Sequence, residues 1–212
     1  MRVQQLQYLH KSWKVYLHSD GFDRMQCQLV IAFGESTLIN ETSVFNHLER
    51  SYPEAHIILC TSPGALLHDD EFENSVIVTA VEFDNTFVHC VETNIKDHKG
   101  SFEAGRYLMQ QLQQKELHAA YIVSDGVHVN AGKLMNGFHV ANSNHIPVTN
   151  AMAGDDHQST PACVGLNKSP GKDMIVAIGF YGEEPDCLHL EQYLRPDPTA
   201  PVNITRKPSR TL

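Results

Sequence analysis

Three short polar stretches carry the residue types best suited to chemistry. They are Cys60-Thr61-Ser62-Pro63-Gly64, Ser124-Asp125-Gly126 running on to Asn130, and Ala153-Gly154-Asp155-Asp156-His157. Each follows an apolar run. Each supplies small residues, exposed backbone N–H groups, hydroxyls or a carboxylate, a set that suits a small polar ligand. The same residue types also build turns, so either use fits any one stretch taken alone. In open α/β sheets, ligands bind beyond the carboxyl ends of strands. If the three preceding runs are neighbouring strands, the stretches share one rim. The candidate ligand contacts are then Cys60, Thr61, Ser62, Gly64, Ser124, Asp125, Gly126, Asn130, Gly154, Asp155, Asp156 and His157.

Sharper chemistry is conceivable at the same places. Cys60 is a possible nucleophile, with His157 as base and Asp125 or Asp156 orienting it. A cysteine that ends an apolar strand is more commonly a packed thiol, and no catalytic residue is assigned. Among 13 histidines, His157 beside Asp155 and Asp156 is the best metal candidate. No H-E-x-x-H or H-x-H pair supports it, so no metal ligand is assigned. His128, His139 or His157 are candidates for an axial haem ligand. The absence of C-x-x-C-H means such a haem would be non-covalent. Gly171-Lys172 resembles the end of a P-loop, but position 166 is Leu and Asp173 replaces the Ser or Thr.

The elements that must position these residues read as follows. Leu6, Leu9, Trp13, Tyr16 and Leu17 recur at roughly helical spacing, so an amphipathic helix is expected first. Residues 28–33 and 55–60 read as buried strands. Between them Val44, Phe45, Leu48 and Tyr52 mark a helix closed by Pro53. That order is a βαβ unit with parallel strands. Residues 75–83 and 86–92 read as adjacent strands of a hairpin turning at Asp84-Asn85. Ser101 opens a helix with Gly105, Leu108, Met109 and Leu112 on one face. Residues 119–123 form another buried strand. Asn130 caps a helix bearing Ala131, Leu134, Met135 and Phe138. Residues 146–148 are followed by a loop over 150–161. Residues 162–166 and 174–180 then read as an antiparallel pair. The expected fold class is α/β, with a mixed, partly parallel sheet, antiparallel hairpins and helices packed on it.

Composition sets the frame. Of 212 residues, 42% are apolar and 19% charged, which is ordinary globular material. The formal charge of −9 excludes a general electrostatic footprint for nucleic acid or anionic membrane. Five cysteines without C-x-x-C spacing exclude a disulfide or zinc framework and fit a reducing compartment. No run is long and apolar enough to span a bilayer, and a cytoplasmic location is expected. Residues 1–190 read as one domain and 191–212 as a Pro-rich tail or linker.

The ordered segments resemble the N-terminal portion of the FIST domain, a bacterial and archaeal sensory domain. The matching stretches are Gln28-Leu-Val-Ile-Ala-Phe-Gly34, Tyr52-Pro-Glu-Ala-His-Ile-Ile-Leu-Cys-Thr-Ser-Pro-Gly64 and Val123-Ser-Asp-Gly-Val-His-Val-Asn130. Further ones are Gly137-Phe138, Pro147-Val-Thr149, Ala153-Gly-Asp155 and Val176-Ala-Ile-Gly-Phe-Tyr-Gly182. The resemblance implies a non-catalytic input module for a small ligand such as an amino acid. It implies partners such as histidine kinases, diguanylate cyclases or chemotaxis proteins. It also implies haem-based nitric oxide sensing as an alternative. The family's Gly-Cys-Ser-Thr-Ala-Gly-Glu type loop stands here as Leu59-Cys60-Thr61-Ser62-Pro63-Gly64-Ala65, without its acid.

Overall fold

Leu6, Tyr8 and Trp13 lie on a pair of strands, and the helix expected at the start of the chain is absent. The structure, a computed structural model, describes residues 1–62, 65–67, 70–72, 75–112, 115–154 and 162–182. Gly64, Asp155, Asp156, His157 and the expected tail at 191–212 lie outside these residues. β1 (Arg2–Leu9) and β2 (Ser12–His18) pair antiparallel, with Tyr8 opposite Trp13 and Leu9 opposite Ser12. Two features hide this hairpin in the sequence. First, its strands bury polar residues: Gln4 is buried, and its side-chain oxygen accepts from the Tyr52 hydroxyl at 2.6 Å and from Arg24 Nε at 3.2 Å. Second, the two turn residues, His10 and Lys11, both have positive φ (48° and 60°). A two-residue turn of this kind normally carries Asn-Gly.

A testable consequence is that His10→Asn combined with Lys11→Gly relieves the left-handed strain. It should stabilise the domain by about 1 kcal/mol and raise its melting temperature by roughly 2–4 °C. Thermal denaturation of the double variant reads this directly, and a lower midpoint would contradict it.

After the hairpin come β3 (Leu29–Gly34), α1 (Ser36–Ile39), α2 (Thr42–Ser51) and β4 (His56–Thr61). β3 and β4 are parallel, from Leu29 opposite His56 to Gly34 opposite Thr61, as the βαβ reading requires. A short hairpin of β5 (Ala65–Leu67) and β6 (Asp70–Phe72) follows. Next are β7 (Val76–Glu82), β8 (Phe87–Asn94), α3 (Ser101–Leu112), β9 (Leu117–Asp125) and α4 (Ala131–Ala141). β10 (Val148–Ala153), β11 (Val164–Leu166) and β12 (Met174–Tyr181) complete the described chain. Residues 150–153, expected as loop, thus belong to β10, which pairs parallel with β9.

The strands form two main sheets, ordered β11-β4-β3-β7-β1-β2 and β10-β9-β12-β8. Two expected pairings are therefore wrong. β7 lies between β3 and β1 in one sheet, and β8 lies beside β12 in the other. Residues 83–86 are a crossover between sheets. Neither Asp84 nor Asn85 has the positive φ that a tight two-residue turn needs. Phe83 is buried between the sheets with its ring 5.9 Å from Phe180. Likewise β11 joins β4 while β12 is central in the other sheet.

Three apolar clusters show how the layers stack. Val30, Ala32 and Leu59 face Ile39, Val44 and Leu48 of α1 and α2. Leu29, Ile58 and Cys60 meet Val123, Val176 and Ile178 between the sheets. Ile122, Ile175 and Ala177 face Leu108, Leu112, Leu134 and Phe138 of α3 and α4. The order is helices, sheet, sheet, helices. Central strands are buried on both faces, which is why they read as unbroken apolar runs. On the outer side, α3 and α4 approach closely through two glycines. A Cβ on Gly137 would lie 1.9 Å from the Phe102 carbonyl oxygen, and one on Gly105 2.1 Å from that of Leu134. No helix among the described residues is long and apolar enough to cross a membrane.

Candidate functional site

The carboxyl ends of β4, β9 and β10 meet on one rim, although β4 belongs to the other sheet. Thr61 is the clasp. Its N–H donates to the Cys163 carbonyl (3.0 Å), and its hydroxyl donates to the Gly154 carbonyl (3.0 Å). The hydroxyl also accepts from the Cys163 N–H (2.8 Å), and the Gly154 N–H donates to the Thr61 carbonyl (3.0 Å). Ser62 is tied to β3 through its N–H and the Gly34 carbonyl (2.8 Å). Gly126 donates to the Ala153 carbonyl (3.1 Å), and a Cβ there would come within 2.2 Å of that oxygen. Only glycine lets β9 leave its sheet so close to β10.

Asp125 is the hub beneath the rim. It is fully buried. Its Oδ1 accepts from the N–H groups of Val127 (2.7 Å) and His128 (3.1 Å). Its Oδ2 accepts from the Asp173 N–H (2.8 Å) and contacts His128 Nδ1 (3.1 Å). Burial alone would raise this carboxyl. The hydrogen bonds from Asp173, the His128 ring and the His128 and Val127 backbones outweigh it and hold the group below the ordinary carboxylate value. The Asp173 carboxylate in turn contacts His128 Nδ1 (3.2 Å) and the Lys96 ammonium.

Asp125, His128 and Asp173 thereby bring one ligand-type atom each within 4.8 Å of one another. The arrangement could hold a cation, but Lys96 already supplies a positive charge to Asp173. Every Asp125 oxygen accepts protein donors. Sequence reasoning missed Asp173 and Lys96. The one local signal was an Asp after Gly-Lys at a turn, and Asp173 does take a positive φ of 65°.

The remaining candidates lie apart from this cluster or serve the fold. Asn130 caps α4, its Oδ1 accepting from the Lys133 N–H (2.9 Å), while its own N–H donates to the Ser101 hydroxyl (2.9 Å). Ser124 is fully buried, and its hydroxyl has no hydrogen-bond partner among the described residues. Cys60 is fully buried between the sheets, and burial, with Cys163 nearby, pushes its thiol up to about 12. A nucleophilic cysteine needs the opposite shift. His139 is exposed in the last turn of α4, away from the cluster at His128.

Fold and rim together define an α/β domain of two stacked mixed sheets, with its polar loop ends gathered on one edge. The model of the FIST N domain family matches residues 28–195, and the chain belongs to that family. It is a family of sensory, signal-transduction domains. No curated protein matches the chain. The matched stretch includes all three rim strands and begins after the β1–β2 hairpin.

Proposed function

We propose that this domain is a non-catalytic sensory input module that binds a small polar ligand, such as an amino acid, on the rim of β4, β9 and β10. The observation that carries the reading is the convergence of Ser62, Gly126 and Gly154 through Thr61 and the Gly126–Ala153 hydrogen bond. The described polar groups of the rim are largely engaged with one another, so they form a rigid floor. Ligand contacts then fall to the half-exposed His128 ring and the segments continuing from Ser62 and Gly154, with Gly64, Asp155, Asp156 and His157. Preorganised floors of this kind lower the ordering cost of binding. The occupied state would be read by a signalling partner of the kinds the resemblance implies. The raised Cys60 thiol argues against a cysteine enzyme.

Ligand binding to the folded state raises its stability by about 2.7 kcal/mol at a hundredfold excess over Kd. A thermal-shift screen of the common amino acids and haem should therefore give a saturable rise for at least one compound. Ser62→Trp, which fills the rim, should abolish it. A flat response across the panel in folded protein sinks the proposal. Haem as the ligand would instead show a Soret band that His128→Ala removes, since Nδ1 is held by the two carboxylates and Nε2 is the remaining nitrogen.

A further inference from the structure

A second concavity lies at the opposite pole, where the parallel strands begin. It is a cleft of about 870 Å³ lined by Gln28, Glu54, His56, Asn85, Phe87 and Glu116, among others. That volume falls in the range of small-molecule sites. Its wall is held by a tight backbone contact. Gly182, with φ of 145°, donates its N–H to the Glu116 carbonyl (3.2 Å). A Cβ there would meet the Asn85 carbonyl oxygen at 2.4 Å. The crossover between the two sheets is thus pinned over the end of β12, and the opening stays between them.

The lining has a consistent chemistry. Among the described residues it contains three carboxylates, Glu54, Asp84 and Glu116, and no lysine or arginine. Asp84 is engaged by the N-terminal ammonium (2.6 Å) and Arg2 (3.0 Å). Glu116 meets only the far-exposed Lys115 at 3.4 Å, and Glu54 faces no cation among the described residues. Burial, reinforced by neighbouring His89, holds the His56 ring below the ordinary imidazole value, which favours its neutral form. Independently of the charges, Phe87 is left 77% exposed in this lining. An exposed aromatic beside an unpaired carboxylate, Glu54, and one held only by an exposed lysine, Glu116, is the pairing that recognises an organic cation, through its ring face and its charge together.

The geometry points to this cleft as a binding site for a small organic cation, an amine or guanidinium compound with an apolar portion, distinct from the rim. Glu54 and Glu116 supply the charge, Phe87 the ring, and His56 and Asn85 neutral hydrogen-bonding groups.

Titration calorimetry with spermidine, agmatine and choline, at fixed ionic strength set with sodium chloride, tests the assignment. At least one probe should bind saturably. The Glu54→Gln/Glu116→Gln double variant and Phe87→Ala should each weaken it by about tenfold. These side chains are exposed, so the variants should melt like the wild type, which separates lost binding from lost folding. Ser62→Trp should leave cation binding intact, so failure at the rim and failure at the cleft are distinguishable. The assignment is overturned if no probe saturates against the sodium background, or if neither variant changes the affinity.

Discussion

Asp125→Asn should destabilise the domain by about 3 kcal/mol, lowering the melting temperature by roughly 6–12 °C. The substitution is nearly isosteric, so the effect is one of hydrogen bonding and charge. Both Asp125 oxygens accept, Oδ1 from the Val127 and His128 N–H groups and Oδ2 from the Asp173 N–H and the His128 ring. An amide offers one acceptor oxygen. Its NH₂ would face either the paired N–H groups at Oδ1 or the Asp173 N–H at Oδ2. In either orientation a buried donor is left facing a donor, and the charge that strengthens the other bonds is lost.

The pH dependence has a defined sign. The folded-state value of Asp125 is depressed. Its contribution is therefore fully present above the unfolded value of about 3.9, and is lost as pH falls through the lower folded value. The gap between wild type and Asp125→Asn should be insensitive to this group from pH 5 to 8 and should narrow below about pH 4. Denaturant unfolding across that range measures it. A constant gap down to pH 2, or no gap at pH 7, would show that the carboxylate is not the hub of this end of the fold.

Gly137→Ala should be at least as damaging, by about 3 kcal/mol or more. Helix propensity alone favours alanine by up to about 1 kcal/mol. Here the new Cβ would lie 1.9 Å from the Phe102 carbonyl oxygen. That atom is backbone and cannot rotate away, so α3 and α4 must separate, loosening Leu108, Leu134 and Phe138 beneath them. Gly105→Ala meets the Leu134 carbonyl at 2.1 Å and should behave alike. Gly132 on the same helix is the control, because its Cβ would meet only the Asn130 Oδ1 at 3.6 Å. Gly132→Ala should be neutral or slightly stabilising. If Gly137→Ala melts with Gly132→Ala, the helices do not touch as described.

The candidate site was partly legible. Asp125, Gly126 and Asn130 could be singled out because a strand end, a turn glycine and a helix cap each leave a local mark. The partners that give Asp125 its role could not. Asp173 and Lys96 lie 48 and 29 residues further along or back, and nothing in their neighbourhoods signals a shared carboxylate cluster. The opposite cleft was invisible for the same reason. Its residues come from separate strand ends, none with a motif.

Local residue order determined the strands β3, β4, β9 and β12 and the helices α2, α3 and α4. Burial on two faces writes an unbroken apolar run, and burial on one helical face writes a 3.6-residue period. The same order gave the parallel β3–β4 unit, since a helix between two buried strands leaves little choice. Only the tertiary structure decided which sheet each strand joins. A run such as Val76–Glu82 records that both its faces are covered, not what covers them, and so β7 and β8 parted where a hairpin was expected. It alone decided that residues 2–18 form a hairpin, because His10 and Lys11 accept left-handed backbone in exchange for docking β1 beside β7. And it alone brought Thr61 to Gly154, across two sheets, and Asp125 to Asp173, across neighbouring strands distant in sequence, because such contacts are set by packing across the whole fold.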